Sequence, residues 1–329
     1  MRKKGTFFMG ISPTSSPVFV GIDVSKATLD VVLRPSGEYF QVANSADGLR
    51  QLLERLKPLA IACVVLEATG GYERPAVASL VDADLPVAII NPKRARDLAR
   101  GLGKLAKNDR IDAGVLAYCA EHCELPKAKK LPEKQAQLEA LVLRRRQLVG
   151  MRASEQMRFA QTVIPEARKD VQQSLTFLNN HIDKIEKQIA KIIDSDDHWK
   201  DLAAIIDSAP GIGPTTAAVI LAELPELGQL NRREIGALVG VAPFQKDSGA
   251  RKGKRCIYGG RDDLRTSLYM ATFTATTKNA VIRAFHQNLI AKGKPFKVAL
   301  VACIRKLLSI LNQMVKNRQK WNQHLLKTA

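Results

Sequence analysis

The first third of the chain alternates between short apolar runs and amphipathic segments. Strands are predicted near 18–24, 28–34, 38–43, 62–67 and 86–91, and helices near 46–57, near 73–82 and between 93 and 123. Three strands joined by short turns, followed by alternating helices and strands, are typical of a mixed α/β layer. We therefore expect antiparallel hairpins that lead into parallel crossovers.

This order is that of a ribonuclease H-like fold, in which the first strand, the fourth strand and the last helix meet at one edge. Asp23 lies inside the apolar run 18–24, and Glu67 closes the run 62–67. A buried carboxylate must be paired, protonated or bound to a metal. Side chains at the carboxyl ends of neighbouring strands converge, so these two distant acids are predicted to share a cation.

A second pair of acids opens the last predicted helix of this region. Asp109 and Asp112 follow Asn108, which suits a helix cap, and a spacing of three places both acids on one face. Acids in a first turn also suit the helix dipole, so this pair alone has a purely structural explanation. Taken with Asp23 and Glu67, the four carboxylates predict a site for Mg²⁺, which prefers hard oxygen ligands.

Beyond about residue 128 the pattern becomes helical. Apolar residues repeat at alternating intervals of four and three over three heptads, with charged residues between them: Val171, Leu175, Leu178, Ile182, Ile185, Ile189 and Ile192. Before Pro165, the stretch 138–164 is helical in composition but has only a ragged apolar seam. A helical hairpin, a dimerising coiled coil and an amphipathic helix packed on its own chain all fit this pattern.

From about residue 199 a compact helical region is predicted. Its segment Pro210-Gly-Ile-Gly213 precedes a helix-forming run and resembles the turn of a helix-hairpin-helix motif, in which glycines let the backbone approach a phosphate. Gly211, Gly213 and Thr215 are therefore candidate contacts to a DNA backbone. Turn geometry alone also explains glycines between two helices.

The segment 240–261 concentrates positive charge among glycines, as expected of a basic loop that wraps a phosphate backbone. Its candidate nucleic-acid contacts are Lys246, Arg251, Lys252, Lys254, Arg255 and Arg261. Ser248 lies among them, but Asp-Ser-Gly is a common turn, and composition predicts nothing further for it.

Charge is unevenly distributed along the 329 residues, whose formal net charge is +19. Residues 199–329 alone carry +13, and twelve Lys or Arg but no acid follow Asp263. A field of one sign favours a polyanionic partner, so nucleic acid is expected. Binding to a membrane surface would need one amphipathic basic helix rather than charge spread over a domain.

The remaining composition favours a cytoplasmic protein without a membrane span. Five scattered cysteines argue against a disulfide framework. A zinc site at Cys119, His122 and Cys123 would need a fourth ligand that no nearby pair supplies. The amino-terminal residues are expected to form a loose tail, with Met9 as a possible initiator.

The ordered set of motifs resembles the DEDD transposases of a large insertion-sequence family, the IS110 type, from about residue 18 to 320. The matching segments are Val20-Gly-Ile-Asp-Val-Ser25, Glu67-Ala-Thr-Gly-Gly-Tyr72, Lys107-Asn-Asp-Arg-Ile-Asp-Ala113, Pro210-Gly-Ile-Gly213 with Thr216-Ala217, and Asp247-Ser-Gly249 through Gly259-Gly-Arg261.

This resemblance implies a RuvC-like amino domain in which Asp23, Glu67, Asp109 and Asp112 bind metal, and two Mg²⁺ ions are expected. It also implies that Ser248 is the nucleophile of a recombinase that acts on donor and target DNA under a structured guide RNA. It further implies a homo-oligomer, a dimer or tetramer joined by a coiled coil. The expected parts are a tail (1–17), a catalytic domain (18–127), coiled-coil helices (128–198) and a nucleic-acid-binding domain that carries the serine (199–329).

Three other functions use some of the same residues. A Holliday-junction nuclease would use the four acids with water as the nucleophile. A sugar kinase of the actin-like fold would use Gly21-Ile-Asp-Val-Ser25 as a phosphate strand, but a second glycine-rich phosphate loop is missing. A packaging protein would account for the basic charge and leave the four acids without a role.

Overall fold

The computed structural model describes residues 16–106, 108–128, 130, 132–245, 253 and 255–322. The chain divides into two compact units between Leu131 and Pro132. The first unit is mixed α/β. Its strands are β1 (Val18–Val24), β2 (Thr28–Arg34), β3 (Tyr39–Ala43), β4 (Ile61–Glu67) and β5 (Val87–Ile90); its helices are α1 (Ala46–Leu56), α2 (Arg74–Asp82), α3 (Pro92–Gly101) and α4 (Asp109–His122).

The five strands form one sheet in the order β3-β2-β1-β4-β5. Strand β1 is antiparallel to β2 and parallel to β4, and β5 continues the parallel part. The predicted mixed layer is confirmed, with each strand and helix within a few residues of its expected position. Strands β1 and β4 are neighbours and α4 packs on both, as the ribonuclease H-like order requires.

Side chains alternate between the two faces of the sheet along each strand, and the two faces pack against different helices. Val20, Ile22 and Val24 join a core that includes residues of α1 and α2. The intervening residues of β1, among them Gly21 and Asp23, face α4. This parity explains why an acid can stand inside an apolar strand: its neighbours fill one core while its own side chain lies on the other face.

Gly21 sets how closely α4 approaches the sheet. A Cβ atom at this position would lie 2.1 Å from the carbonyl oxygen of Ala113 and 2.1 Å from the amide nitrogen of Ala117. Only a residue without a side chain therefore permits the observed contact. Because α4 also carries Asp109 and Asp112, this contact fixes the distance of both acids from the sheet.

The second unit is mostly helical. Its elements are α5 (Glu133–Gln161), α6 (Pro165–Asp194), α7 (Asp197–Asp207), α8 (Pro214–Glu223), α9 (Arg232–Val239), β6 (Pro243–Phe244), β7 (Cys256–Ile257), α10 (Asp262–Lys278), α11 (Ala280–Ala291) and α12 (Phe296–Lys316). Helix α12 is long and apolar enough to cross a membrane, which the sequence reasoning did not anticipate. Most of it is buried among the other helices, as in the core helix of a globular unit.

Helices α5 and α6 form a hairpin within one chain. Two of the heptad residues of α6, Ile189 and Leu178, are buried. Ile189 belongs to the core that also contains residues of α7, α8 and α12. The heptad pattern is therefore largely explained by packing inside the chain. Helices α6 and α7, on either side of residue 198, pack in this same core.

The Gly21 contact gives the first testable expectation. Gly21→Ala should destabilise the protein by about 2–3 kcal/mol, because the added methyl group forces α4 away from β1. Urea unfolding measures this change. Gly114→Ala is the matched control: it lies within α4 with open space around its Cβ position, and it should stabilise by about 0.5–1 kcal/mol. Equal stabilities for the two variants would contradict the packing argument.

Candidate active site

Asp23 and Glu67 end adjacent parallel strands. The register pairs Ile22 with Leu66, so the next residue of each strand, Asp23 and Glu67 respectively, leaves the sheet on the α4 side of the same edge. The side chain of Asp23 is half-buried. The predicted convergence of these two acids follows from strand register alone.

Asp109 and Asp112 occupy the first turn of α4. Asn108 caps this helix, since its side-chain oxygen accepts a hydrogen bond from the amide of Ile111 at 2.7 Å. The predicted cap is confirmed, and it fixes where the first turn begins. Both acids consequently point toward the sheet edge at which Asp23 and Glu67 lie.

All four acids line one cleft of about 630 Å³. Their proximity is evident in the pKa of Asp23, which rises from its usual 3.8 to about 6. Burial is the largest cause, followed by repulsion from Asp112, Asp109 and Glu67. The fold thus gathers three distant stretches of chain into a single anionic pocket.

The four acids line one cleft, but they are not clustered as the ligands of one metal ion would be. Among the described residues, no three His, Cys, Asp or Glu side chains are gathered closely enough to hold one metal ion. The chemistry of the donors nevertheless fits a hard divalent cation, because every charged candidate ligand is a carboxylate. Repulsion among these carboxylates is what such a cation would relieve.

Asp30 is a further acid, next to Asp23 in the sheet, that is absent from the candidates drawn from the sequence. It is the cross-strand partner of Asp23, it is only 1% exposed, and it accepts hydrogen bonds from the Tyr39 hydroxyl at 2.6 Å and the Gln41 amide at 3.0 Å. The guanidinium of Arg110, beside Asp109, lies over the Tyr39 ring. The missed signal was alternation along β2, which places Asp30 on the same face as Asp23.

The loop after Glu67 is held by Glu73. Its carboxylate accepts hydrogen bonds from the Thr69 amide, the Thr69 hydroxyl and the Gly71 amide. Burial is the largest single influence on the pKa of Glu73 and raises it, but the hydrogen bonds together lower it. Asn44 donates to the carbonyls of Ser25 and Tyr72, so the segments that follow both strand acids are tied to one residue.

The carboxyl-terminal candidates are only partly within the described chain. Ser248, Lys246, Arg251, Lys252 and Lys254 lie outside the described residues. Arg255 is described and exposed. The two strands on either side of this segment pair with each other, Pro243 with Ile257 and Phe244 with Cys256.

Gly240 and Gly260 cross closely near this pair of strands. A Cβ atom on Gly260 would lie 2.2 Å from the backbone nitrogen of Gly240, and both glycines have positive φ. The Gly259-Gly-Arg261 motif therefore has a structural reason. It anchors the backbone that returns from the serine segment.

Two of the predicted nucleic-acid contacts have structural roles within the fold. Arg261 forms a bidentate ion pair with Glu226 and donates to the carbonyl oxygen of Glu223 at 2.7 Å, so its guanidinium holds the end of α8. A Cβ atom on Gly211 would lie 2.6 Å from Ala275, so this glycine lets the turn pack on α10. Internal pairing and packing thus give each residue a structural role, and contact of either residue with nucleic acid stays a prediction.

Gly213 and Thr215 remain placed as the motif predicts. Gly213 is the cap residue of α8, with open space at its Cβ position, and Thr215 is exposed in the first turn. A helix start of this kind presents free amide groups that suit a phosphate. Their contact with DNA stays a prediction.

Comparison with known proteins covers both units. A DEDD transposase model of the IS110 type matches residues 20–164, and a model described as "Transposase IS116/IS110/IS902 family" matches residues 203–287. The pilin gene-inverting protein of Moraxella bovis is 23% identical over 324 residues, which cover 94% of this chain and 99% of that protein.

Two further similarities are partial. An uncharacterized protein of insertion element IS116 from Streptomyces clavuligerus is 27% identical over 181 residues, covering 52% of this chain and 44% of that protein. The Thermus thermophilus RuvC structure matches 34% of this chain and 99% of its own, at 14% identity and a TM-score of 0.26. A TM-score this low supports no conclusion about the fold. The description of the fold rests on the strand order.

The raised pKa of Asp23 predicts how stability depends on pH. The folded protein binds this proton more tightly than the unfolded chain, so the stabilisation is fully present below about pH 3.8 and is lost as the pH rises through about 6. In a chelating buffer, Asp23→Asn should therefore raise the melting temperature at pH 8 but not at pH 3.8. Glu38→Gln, at an exposed turn, is the control and should change neither melting temperature. If Asp23 made the wild-type protein less stable at pH 4 than at pH 8, relative to Asp23→Asn, the predicted direction of the pH effect would be refuted.

The Arg261 contacts give a second expectation. Arg261→Ala should lower the free energy of unfolding by about 1–2 kcal/mol, because it breaks a partly exposed ion pair and leaves a helix-end carbonyl without its donor. Arg255→Ala, at an exposed position, should leave unfolding unchanged and weaken DNA binding instead. Urea denaturation and the salt dependence of DNA affinity separate the two roles.

Proposed function

This chain belongs to the IS116/IS110/IS902 family of transposases, whose two models together match more than half of it, and we propose that it recombines DNA through a serine–phosphate intermediate. It is a DNA transposase or recombinase by family membership. The finer proposal has three parts: chemistry at the four acids of a RuvC-like domain, a nucleophile at Ser248, and guidance by a structured RNA. The observation that carries it is the single cleft lined by Asp23, Glu67, Asp109 and Asp112.

The covalent step that we propose conserves bonds. The Ser248 oxygen attacks the scissile phosphorus, the bond from phosphorus to the 3′ oxygen breaks, and the serine proton passes through solvent to the leaving 3′ hydroxyl. A 5′-phosphoserine link results. Attack on that link by the 3′ hydroxyl of another strand then restores the serine and joins the strands without ATP.

The four carboxylates are the residues that would hold Mg²⁺ in this proposal. When bound, divalent ions stabilise negative charge on the attacking and leaving oxygens. The protein's own contribution is to hold Asp23 and Glu67 on adjacent strands and Asp109 and Asp112 on one capped helix turn. The raised pKa of Asp23 supports this assignment: burial raises it most, and the repulsion from the other three acids that adds to it is what a cation would relieve.

Charge supports nucleic-acid binding by the second unit. The excess of +13 over residues 199–329 suits donor and target DNA together with RNA. Gly213, Thr215 and Arg255 are the described candidates for phosphate contact. The pilin gene-inverting name of the Moraxella bovis relative also describes a rearrangement of DNA.

We also propose that the protein works as a dimer or tetramer joined at the α5–α6 hairpin. The tip of the hairpin exposes Val163 (86% exposed) and Ile164 (60%), and its distal half exposes Met157 and Phe177. Large apolar side chains exposed in this way favour contact with another apolar surface. The heptad residues Leu178 and Ile189 are already buried within the chain and do not contribute to this argument.

One alternative is favoured by the same cleft. The acids are complete within the first unit, so a RuvC-like nuclease could cut with water and without Ser248. Substitution of the serine discriminates between these mechanisms.

The decisive experiment incubates the purified protein with plasmids that carry the element ends and a target, RNA transcribed from the element, and Mg²⁺. Wild-type protein should form a covalent protein–DNA adduct that maps to Ser248. Ser248→Ala should lose the adduct and the joined product, and Asp23→Asn should slow both by at least about 100-fold. Ser267→Ala, on α10, is the control for a general effect of serine loss.

Each result has a defined meaning. Cutting by Ser248→Ala at the wild-type rate would establish the hydrolytic alternative. An adduct at another residue would refute the serine assignment. Normal cutting by Asp23→Asn would refute the role of the acids.

A further inference from the structure

The cleft that holds the acids has a basic wall as well as an acidic one. Three residues of α3, Lys93, Arg96 and Arg100, line the same cleft as the four carboxylates. Their spacing of three and then four places them on one face of the helix. The sequence reasoning did not single out any of them.

Arg96 connects this helix to the chain that leads to the acids. Its Nη2 donates to the carbonyl oxygen of Leu105 at 3.3 Å, in the segment between α3 and α4. Within the described part of the chain, its Nη1 is buried and has no hydrogen-bond acceptor. A buried guanidinium nitrogen without an acceptor is destabilising, so a movement of the side chain that brought it to a phosphate oxygen in the cleft would relieve the cost.

Arg100 is not committed to a strong internal contact. It lies 3.8 Å from Asp97, and both side chains are largely exposed, at 66% and 52%. An exposed pair at that distance contributes little to stability. The arginine can therefore exchange this partner for a phosphate at small cost.

The basic residues of α3 can offset the repulsion between the cleft carboxylates and a DNA strand. Five carboxylates line the cleft, because Asp97 of α3 joins the four candidate ligands, and they repel a DNA strand. Cations at the four acids would act only on the scissile phosphate and its immediate neighbours. Phosphates on either side of the cut need another source of positive charge. Helix α3 supplies it on the same cleft.

We propose that Lys93, Arg96 and Arg100 bind the backbone phosphates of the DNA strand that is cut at the acids, so that α3 is a positioning surface for the scissile strand. This inference rests on the proposed function and deepens it. It assigns to the first unit a DNA contact separate from the basic charge of the second.

The test compares two variants of the full-length protein. Lys93→Ala/Arg100→Ala removes two charges from the cleft and leaves the Arg96 contact with Leu105 intact. Arg94→Ala is the matched control: it removes an exposed charge from the same helix at a position that does not line the cleft. Thermal unfolding should be the same for both variants.

Two readouts are measured with a labelled four-way DNA junction as the probe. Binding in Ca²⁺ is followed over a range of salt concentrations, and the double variant should reduce the salt slope by about two because two phosphate contacts are lost. Cutting in Mg²⁺, in the assembled mixture with RNA, should show KM raised about tenfold or more and kcat changed less than threefold. Arg94→Ala should match the wild type in both, and Arg100→Lys should retain most of the binding.

The outcomes distinguish this inference from the function on which it rests. An unchanged salt slope for the double variant would refute the α3 assignment even if Asp23→Asn is inactive. A reduced slope would support the α3 surface even if Asp23→Asn cuts normally, a result that would overturn the role of the acids. Equal losses in the double variant and in Arg94→Ala would show a general effect of charge and would also refute it.

Discussion

The close approach of α4 to β1 is the contact on which the rest of the first unit depends. At Gly21 the helix backbone occupies the space that any other side chain would fill, so the helix axis is fixed relative to the strand. Two residues later the same strand presents Asp23, and the same helix begins with Asp109 and Asp112. A single missing side chain thus determines how far apart the acids of three chain segments lie, and strand register with β4 adds Glu67 to the set.

Gathering these charges opposes stability, and the surrounding residues show how the fold tolerates the cost. Asp23 responds with a raised pKa, because it is half-buried among like charges. Asp30, one strand further, is buried more deeply but is supplied with donors by Tyr39 and Gln41. Hydrogen bonds to Asp30 stabilise its buried carboxylate within the fold. Asp23, in the cleft, instead lies in an environment that favours binding a proton or a cation. Sites of this kind place function ahead of local stability.

The sequence predicted the elements well because they depend on local pattern. The apolar run of β1 and the Asn108 cap were sufficient to place Asp23 and Asp109, and strand ends were sufficient to bring Glu67 beside them. The structural roles that the sequence did not predict belong to residues whose partner is distant in sequence. Arg261 carries the same charge as its neighbours, and only the fold shows that Glu226 pairs with it. Gly211 suits a phosphate-binding turn, but Ala275 on another helix is what requires it. The heptads of α6 show that one face is apolar without showing whether that face meets the same chain or another.

The two units carry different parts of the proposed chemistry. The acids and the α3 surface belong to the first unit, whereas Ser248 belongs to the second, in a segment flanked by the β6–β7 pair and by the crossing of Gly240 with Gly260. In the proposed mechanism, strand exchange through the serine would require Ser248 and the four acids to act on the same DNA. Nucleic acid that binds both the basic second unit and the α3 wall would supply the link, and cutting would then depend on the correct partners being bound.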